Sequence, residues 1–344
     1  MFVIDLLLII IILLLWAIND INKNKLRFIP FVIGVILAIV SGLRYNVGVD
    51  YPAYETIYSN YSRYEDSWIE PSWIAFIGFL HLFGFKSRMF FFVTSIMIVS
   101  GYCYGIRKLS PSVCLSLLLF LVTGLYAETC NTVRQCVAQA VLFAGSDAFV
   151  NRRWCRFSVF CVAAFTAHFS AIIGIIIMLL CLIKFPRWFL FSLLCVTYAA
   201  GHLIMAFITN YTTSIFDTIE MYRYTEDMFN AGITTGYLQI FYNILGAFIL
   251  FFYNRLVRER DWMYILVNLV MAGIFIYNVF VTFMVANRIR MYCLPFIIVL
   301  LPYLAQMFTP RSRYVVIGSI LLILMLFLFK TDINLPYNFD FDFR

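Results

Sequence analysis

The chain has 344 residues, 63% of them hydrophobic and only 12% charged, with a formal net charge of +7. Its apolar residues fall in blocks of about 17 to 25, the length that spans a bilayer as a helix, so an all-α polytopic membrane domain over residues 1–344 is expected in place of a soluble fold. Lys and Arg sit in short loops between those blocks and never in one long basic run, which excludes nucleic acid as a partner and marks the positive charge as a topology signal.

The first block, Phe2 to Ile18, has no basic residue before it and no small-residue cleavage site after it, so it reads as a retained helix. Lys23, Lys25 and Arg27 mark the following loop as cytoplasmic, which places Met1 and the end of the second block outside. There the stretch Ser41 to Tyr58, SGLRYNVGVDYPAYETIY, presents Arg44, Asp50 and a series of tyrosines. Gly42 and Gly48 allow tight turns, Pro52 stops a simple helical continuation, and Asp50 follows Arg44 by six positions, so the two charges can face one cavity. The competing reading is a snorkelling anchor at a helix end.

From Trp73 to Phe85 there are too few apolar residues for a comfortable crossing, so this piece is expected to be a half-inserted helix on the outer side, with a tilted short span as the alternative. Later spans are expected near 89–106, 111–127, 135–150, 157–167, 169–183, 188–208, 236–254, 262–284, 291–308 and 314–329, about twelve with the first two. This register puts Arg107 with Lys108, the Arg152, Arg153 and Arg156 group, Lys184 with Arg187, Arg255 to Arg260, and Arg311 with Arg313 inside. Most acids then lie outside, in the segment 44–71, the loop Thr209 to Thr235 and the tail. The short spans 157–167 and 169–183 meet at Ala167-His168-Phe169-Ser170, where His168 either lines a funnel below the outer surface or occupies an ordinary hairpin.

Three outer constellations could carry chemistry. Beside Arg44 and Asp50 stands the run AETCNTVRQCVAQA, in which Asn131, Arg134, Gln135 and Gln139 share one helical face near Glu128. Helix-to-helix hydrogen bonding explains Asn and Gln, but an intramembrane guanidinium needs a fixed partner or a wet cavity. The third is Asn287-Arg288-Ile289-Arg290-Met291-Tyr292, where two arginines on the outer face defy the inside bias. Convergent arginines suit an anion, because guanidinium grips phosphate oxygens through two parallel hydrogen bonds. Arg44, Arg134 and Arg288, with Arg290 behind them, are therefore pyrophosphate-binding candidates. Rings in the outer segments, among them Tyr45, Tyr51 and Tyr292, suit stacking on sugars, with Glu70, Asn131 and Gln135 bonding hydroxyls.

Nine cysteines lie almost entirely inside apolar blocks, and the histidines His81, His168 and His202 are far apart, so no structural metal is expected. Asp340-Phe-Asp342 spells D-x-D, a pattern too common to carry weight, and Asp147 is expected to pair with Arg152 or a neighbouring span. No internal duplication is visible, which weighs against a transporter built from repeats.

The run Arg44 to Tyr51 (RYNVGVDY), Glu70-Pro71, the NTVRQ run 131–135 and AHFSAII 167–173, in this order, resemble the EpsG-like branch of the Wzy-type polymerases of O-antigen, capsule and exopolysaccharide. The resemblance implies a GT-C-like membrane glycosyltransferase without metal or other cofactor, working on the outer face of the bacterial inner membrane. It implies transfer of a growing glycan from undecaprenyl pyrophosphate onto another lipid-linked repeat unit. The implied partners are that lipid-linked glycan, membrane lipid, a chain-length regulator and a flippase. His168 is the implied base, with Asp50 and Glu128 as rivals. One departure is the modest outer loop Thr209 to Thr235, where such polymerases often have a large one. An O-antigen ligase-like transferase and a lipid-linked oligosaccharide flippase are the alternatives.

Overall fold

Apolar blocks free of Gly–Pro breaks become helices, because helix is the conformation that satisfies every backbone donor and acceptor within one segment. A computed structural model describes residues 2–22, 26–64, 69–216, 236–281, 288–332, 338–339 and 341–343. Its helices are α1 Phe2–Ile21, α2 Ile29–Gly42, α3 Tyr51–Ser59, α4 Pro71–Leu82, α5 Ser87–Leu109, α6 Val113–Val122, α7 Leu125–Glu128 and α8 Val133–Val150. They continue as α9 Trp154–Ala167, α10 Ala171–Leu180, α11 Arg187–Phe216, α12 Gly236–Phe251, α13 Tyr253–Glu259, α14 Met263–Val279, α15 Ile297–Gln306 and α16 Pro310–Asp332. The one strand pairing among the described residues joins β1 Arg44–Tyr45 antiparallel to β2 Asn338–Phe339, with Arg44 opposite Phe339. Among the described residues the fold is all-α apart from this clip.

Two units divide the chain, Met1–Ile172 with Leu301–Arg344, and Ile173–Leu300. In the first, α5 packs between α2 and α8, and α9 covers the far side of α8. Gly101 and Gly105 make that contact close: a Cβ on them would meet the Ala140 carbonyl oxygen at 2.8 Å and the Phe143 carbonyl oxygen at 2.7 Å. This is the small-xxx-small device of packed membrane helices. In the second unit α14 is central, buried from Met263 to Met271 and contacted by α11, α12 and α13.

The outward surface of many helices is apolar, as with Leu7, Leu14, Ile176, Leu203, Leu322 and Leu326, while Ser41, Thr94, Ser95, Gln135, Gln139 and Asn268 are buried. Such an inverted surface belongs in lipid. By length and composition α1, α5 and α16 qualify as spans among the described residues, three in all, or up to four if α12 and α13, bent by 65°, count as one. Most of the remaining expected spans correspond to shorter apolar helices, whereas 135–150 corresponds to the 18-residue α8, which is long enough but not apolar enough to qualify. At 12 residues α4 is about 18 Å long, too short to cross the ~30 Å hydrocarbon core by itself.

Differences from the expected boundaries have local causes. The block expected at 111–127 breaks at Gly124, whose φ of +78° ends α6 before α7 begins. The block at 291–308 starts as two 3-10 turns, Arg288–Tyr292 and Leu294–Phe296, before α15. Helix α11 runs to Phe216, past the expected end at 208. Asp147 pairs with Arg153 at 3.8 Å, not Arg152, which sits in the turn with a φ of +55°. Of the nine cysteines, Cys114, Cys130, Cys136, Cys181 and Cys293 are buried as expected, whereas Cys155 and Cys195 are exposed. Glu65, Asp66, Trp68, Asp217, Glu220, Tyr222, Tyr224, Phe229, Asn287 and Asp340 lie outside the described residues.

Candidate active site

Glu70 precedes Pro71, and that proline both holds Glu70 extended (φ −58°, ψ 131°) and starts α4 at its first turn. The next residues bind the end of α9. Ser72 Oγ donates to the Thr166 carbonyl at 2.5 Å and Trp73 Nε1 to the Ala167 carbonyl at 2.6 Å, so α4 supplies donors for carbonyls that a helix end leaves unpaired. Docking α4 on α9 in this way brings Glu70 to His168, which closes α9 in an extended conformation (φ −161°, ψ 124°).

The resulting cluster is tight. Glu70 Oε1 lies 2.6 Å from His168 Nδ1 and accepts from the Phe169 amide at 3.3 Å, while Glu70 Oε2 lies 2.5 Å from Arg134 Nη1. The Glu70 side chain is only 2% exposed, but the His168 side chain is 26% exposed. Burial would raise the Glu70 carboxyl; the hydrogen bond from His168 and the Arg134 charge outweigh it and hold the carboxyl below its ordinary value. A carboxylate at Nδ1 accepts a hydrogen bond from that nitrogen and leaves Nε2 as the acceptor face, the geometry that orients an imidazole for general-base work. Arg134 occupies the first turn of α8, with its backbone amide donating to Tyr54 Oη at 3.3 Å.

The RYNVGVDY loop is pinned to the same helix start. Asn46 (φ +53°) and Gly48 (φ +103°) take left-handed conformations, and a Cβ on Gly48 would stand 2.4 Å from the Cys130 carbonyl oxygen. Only glycine fits there. The close approach lets the Val49 amide donate to Asn131 Oδ1 at 2.9 Å, so Asn131 serves the loop.

Other expected site residues take different places. Arg44 is 1% exposed and turned inward: its Nη1 donates to the Ser41 carbonyl at 2.6 Å and to Ser95 Oγ at 3.0 Å, closing the last turn of α2, and its guanidinium lies 5.0 Å from the Phe91 ring. Among the described residues no ion pair joins Arg44 to Asp50, which is half-buried before α3. Tyr51 is fully buried, stacked on Phe91 at 4.2 Å, and takes a hydrogen bond from Arg88. Burial pushes its phenol up to about 12 despite the Arg88 charge, so it stays neutral. Tyr45 remains 40% exposed beneath the Arg88 guanidinium at 4.3 Å. Glu128 is half-buried at the end of α7, and Gln135 is buried on α8. In the second unit, Arg288 and Arg290 are half-buried in one 3-10 turn, Arg290 lies 4.7 Å from the Tyr277 ring, and Tyr292 packs on Gly174.

Sequence reading missed Arg88, which also pairs with Glu55 at 2.7 Å. The signal was present, since Arg88 is a basic residue on the expected outer side, the same departure that singled out Arg288. It also took Glu70 for a sugar ligand and did not connect it with His168.

A search of curated proteins and one of solved structures find no match. A family model described as the EpsG family matches residues 26–340, nearly the whole chain and every residue of the cluster. The protein therefore belongs to the EpsG family, a Wzy-like polymerase family.

Proposed function

We propose that the protein polymerises undecaprenyl-pyrophosphate-linked oligosaccharide repeat units into O-antigen, capsular or exopolysaccharide on the outer face of the bacterial inner membrane. In this reading about twelve helices cross the bilayer in a GT-C-like arrangement, and the reaction uses no metal. The family supports a polysaccharide polymerase role. The observation that carries the mechanism is the Glu70–His168 contact at 2.6 Å, with the imidazole partly open.

The acceptor sugar hydroxyl gives its proton to His168 Nε2 as its oxygen bonds to the anomeric carbon of the donor. The donor C–O bond breaks at the same carbon, and its electron pair leaves with the lipid pyrophosphate. Glu70 holds the imidazole and stabilises the imidazolium that forms. Arg134 neutralises the leaving pyrophosphate, and Arg44 supports the loop edge from behind. Tyr45 meets the sugars, with Asn131 holding the loop beside it; Asp50 and Glu128 are the rival bases. A chain-length regulator and a flippase are the proposed protein partners.

The test is purified protein in proteoliposomes with isotope-labelled lipid-linked repeat units. Polymer formed together with released undecaprenyl pyrophosphate supports the reading. Movement of label without new glycosidic bonds sinks it in favour of a transporter, and transfer only to a lipid core acceptor favours a ligase. Cysteines placed at Ser59 and Thr234 should label from outside; labelling at Ser312 from that side would overturn the topology.

A further inference from the structure

A groove of about 820 Å³ runs between α2 and α5, floored by α1 and α6, within the first unit. That is the size of a built small-molecule site. Phe92, Ile96, Val99 and Cys103 line it at three- and four-residue spacing along α5, and Phe31, Val35 and Ala38 line it along α2. From Phe92 to Arg107 the trough follows about 22 Å of helix, long enough for an extended acyl chain.

The charge lies at one end only. Arg27 and Arg107 line the groove, no Asp or Glu does, and neither arginine has a hydrogen-bond or ion-pair partner among the described residues. Both are exposed. Arg107 stands 19 residues from Arg88 on one continuous helix, which is about 29 Å, close to the ~30 Å thickness of a bilayer's hydrocarbon core. The end of α5 at Arg88 is the one that meets Glu55 and Tyr51 of the outer segment. Two guanidiniums at headgroup depth above an apolar trough match a phosphate with a hydrocarbon tail.

We infer that this groove binds an anionic glycerophospholipid of the phosphatidylglycerol class, with its phosphate on Arg27 and Arg107 and one acyl chain along α2 and α5. A polyprenyl pyrophosphate donor does not fit the same pose, because its pyrophosphate would then lie a membrane thickness from the Arg88 end of α5. The inference rests on the chain being a membrane protein and is independent of the proposed reaction.

Native mass spectrometry from equimolar phosphatidylcholine–phosphatidylglycerol nanodiscs should show preferential retention of phosphatidylglycerol by the full chain. The double variant Arg27→Gln/Arg107→Gln should lower that retention about tenfold, and Ala38→Trp, which fills the trough and keeps both charges, should lower it similarly. On the unaltered protein, phosphatidylglycerol with a photoreactive acyl chain should form adducts on the peptides carrying Val35 and Cys103, a readout that needs no variant to fold. Equal retention of phosphatidylcholine, adducts confined elsewhere, or stronger retention of undecaprenyl phosphate would each overturn the inference. Displacement of the lipid by inorganic phosphate alone would reduce the site to a simple anion site and overturn it too.

Discussion

Each unit buries a polar network between helices, and the two differ in kind. In the first, Glu70, His168 and Arg134 combine charge with a half-open edge. In the second, the fully amidic set of Asn278, Asn243 and Gln239 joins Thr197: Asn278 Nδ2 donates to Asn243 Oδ1 at 2.9 Å and to Thr197 Oγ1 at 3.2 Å, and Asn243 and Gln239 donate to Asn278 Oδ1 at 2.7 and 3.3 Å. Asn278 and Thr197 are buried, and none of the four titrates near neutral pH. Neutral amides that satisfy one another hold helices together, whereas a carboxylate kept ionised beside a histidine has the means to move a proton.

The largest effect that would separate these networks is at His168. If it is the base, His168→Ala should lower polymer formation by about a hundred to ten thousandfold at matched expression, while binding of the lipid-linked donor persists. Normal polymer would move the role to Asp50 or Glu128, and joint loss of donor binding would make His168 a substrate contact.

Arg134→Lys keeps the charge but not the forked geometry, and should cost ~3 kcal/mol, about a hundredfold in rate. A near-normal Lys variant would reduce Arg134 to a counter-ion for Glu70. Removing that carboxylate by Glu70→Gln should lower the rate by roughly tenfold to a hundredfold and shift the pH–rate profile, because His168 loses its orienting acceptor. Glu70→Gln also has a stability signature. The carboxyl is held below its ordinary 4.5, so it contributes stability that is fully present above that pH and is lost as pH falls through its folded value. Thermal unfolding in mild acid should therefore be less pH-dependent in the variant; an unchanged acid limb would disconnect Glu70 from the fold.

The smallest effect should come from the amide network. Asn278→Ala should lower stability by about 1 kcal/mol and leave the rate per folded molecule unchanged. A loss of turnover as large as that of Arg134→Lys would show that the second unit does more than hold its helices.

What the sequence determined by itself is mostly what depends on near neighbours. Hydrophobic block length sets the helices; Pro71 sets where α4 begins, and the short blocks around His168 do break at residues 168–170, as α9 and α10 show. Arg134, Gln135 and Gln139 also lie on one helix, whereas Asn131, expected on the same face, sits in the turn before α8 begins. Tertiary structure decided the rest, because a helix pattern shows which side of a residue is buried but not what faces it. Glu70 and His168 are 98 positions apart, and they meet because Ser72 and Trp73 dock α4 on the end of α9. Arg44 turns inward because Ser41 and Ser95 offer acceptors beneath Phe91, and the largely buried Arg88 takes the place beside Tyr45 because Glu55 and Tyr51 stand one helix away. The charges were legible in the chain; the partners that give each charge its chemistry are long-range contacts, which only packing can choose.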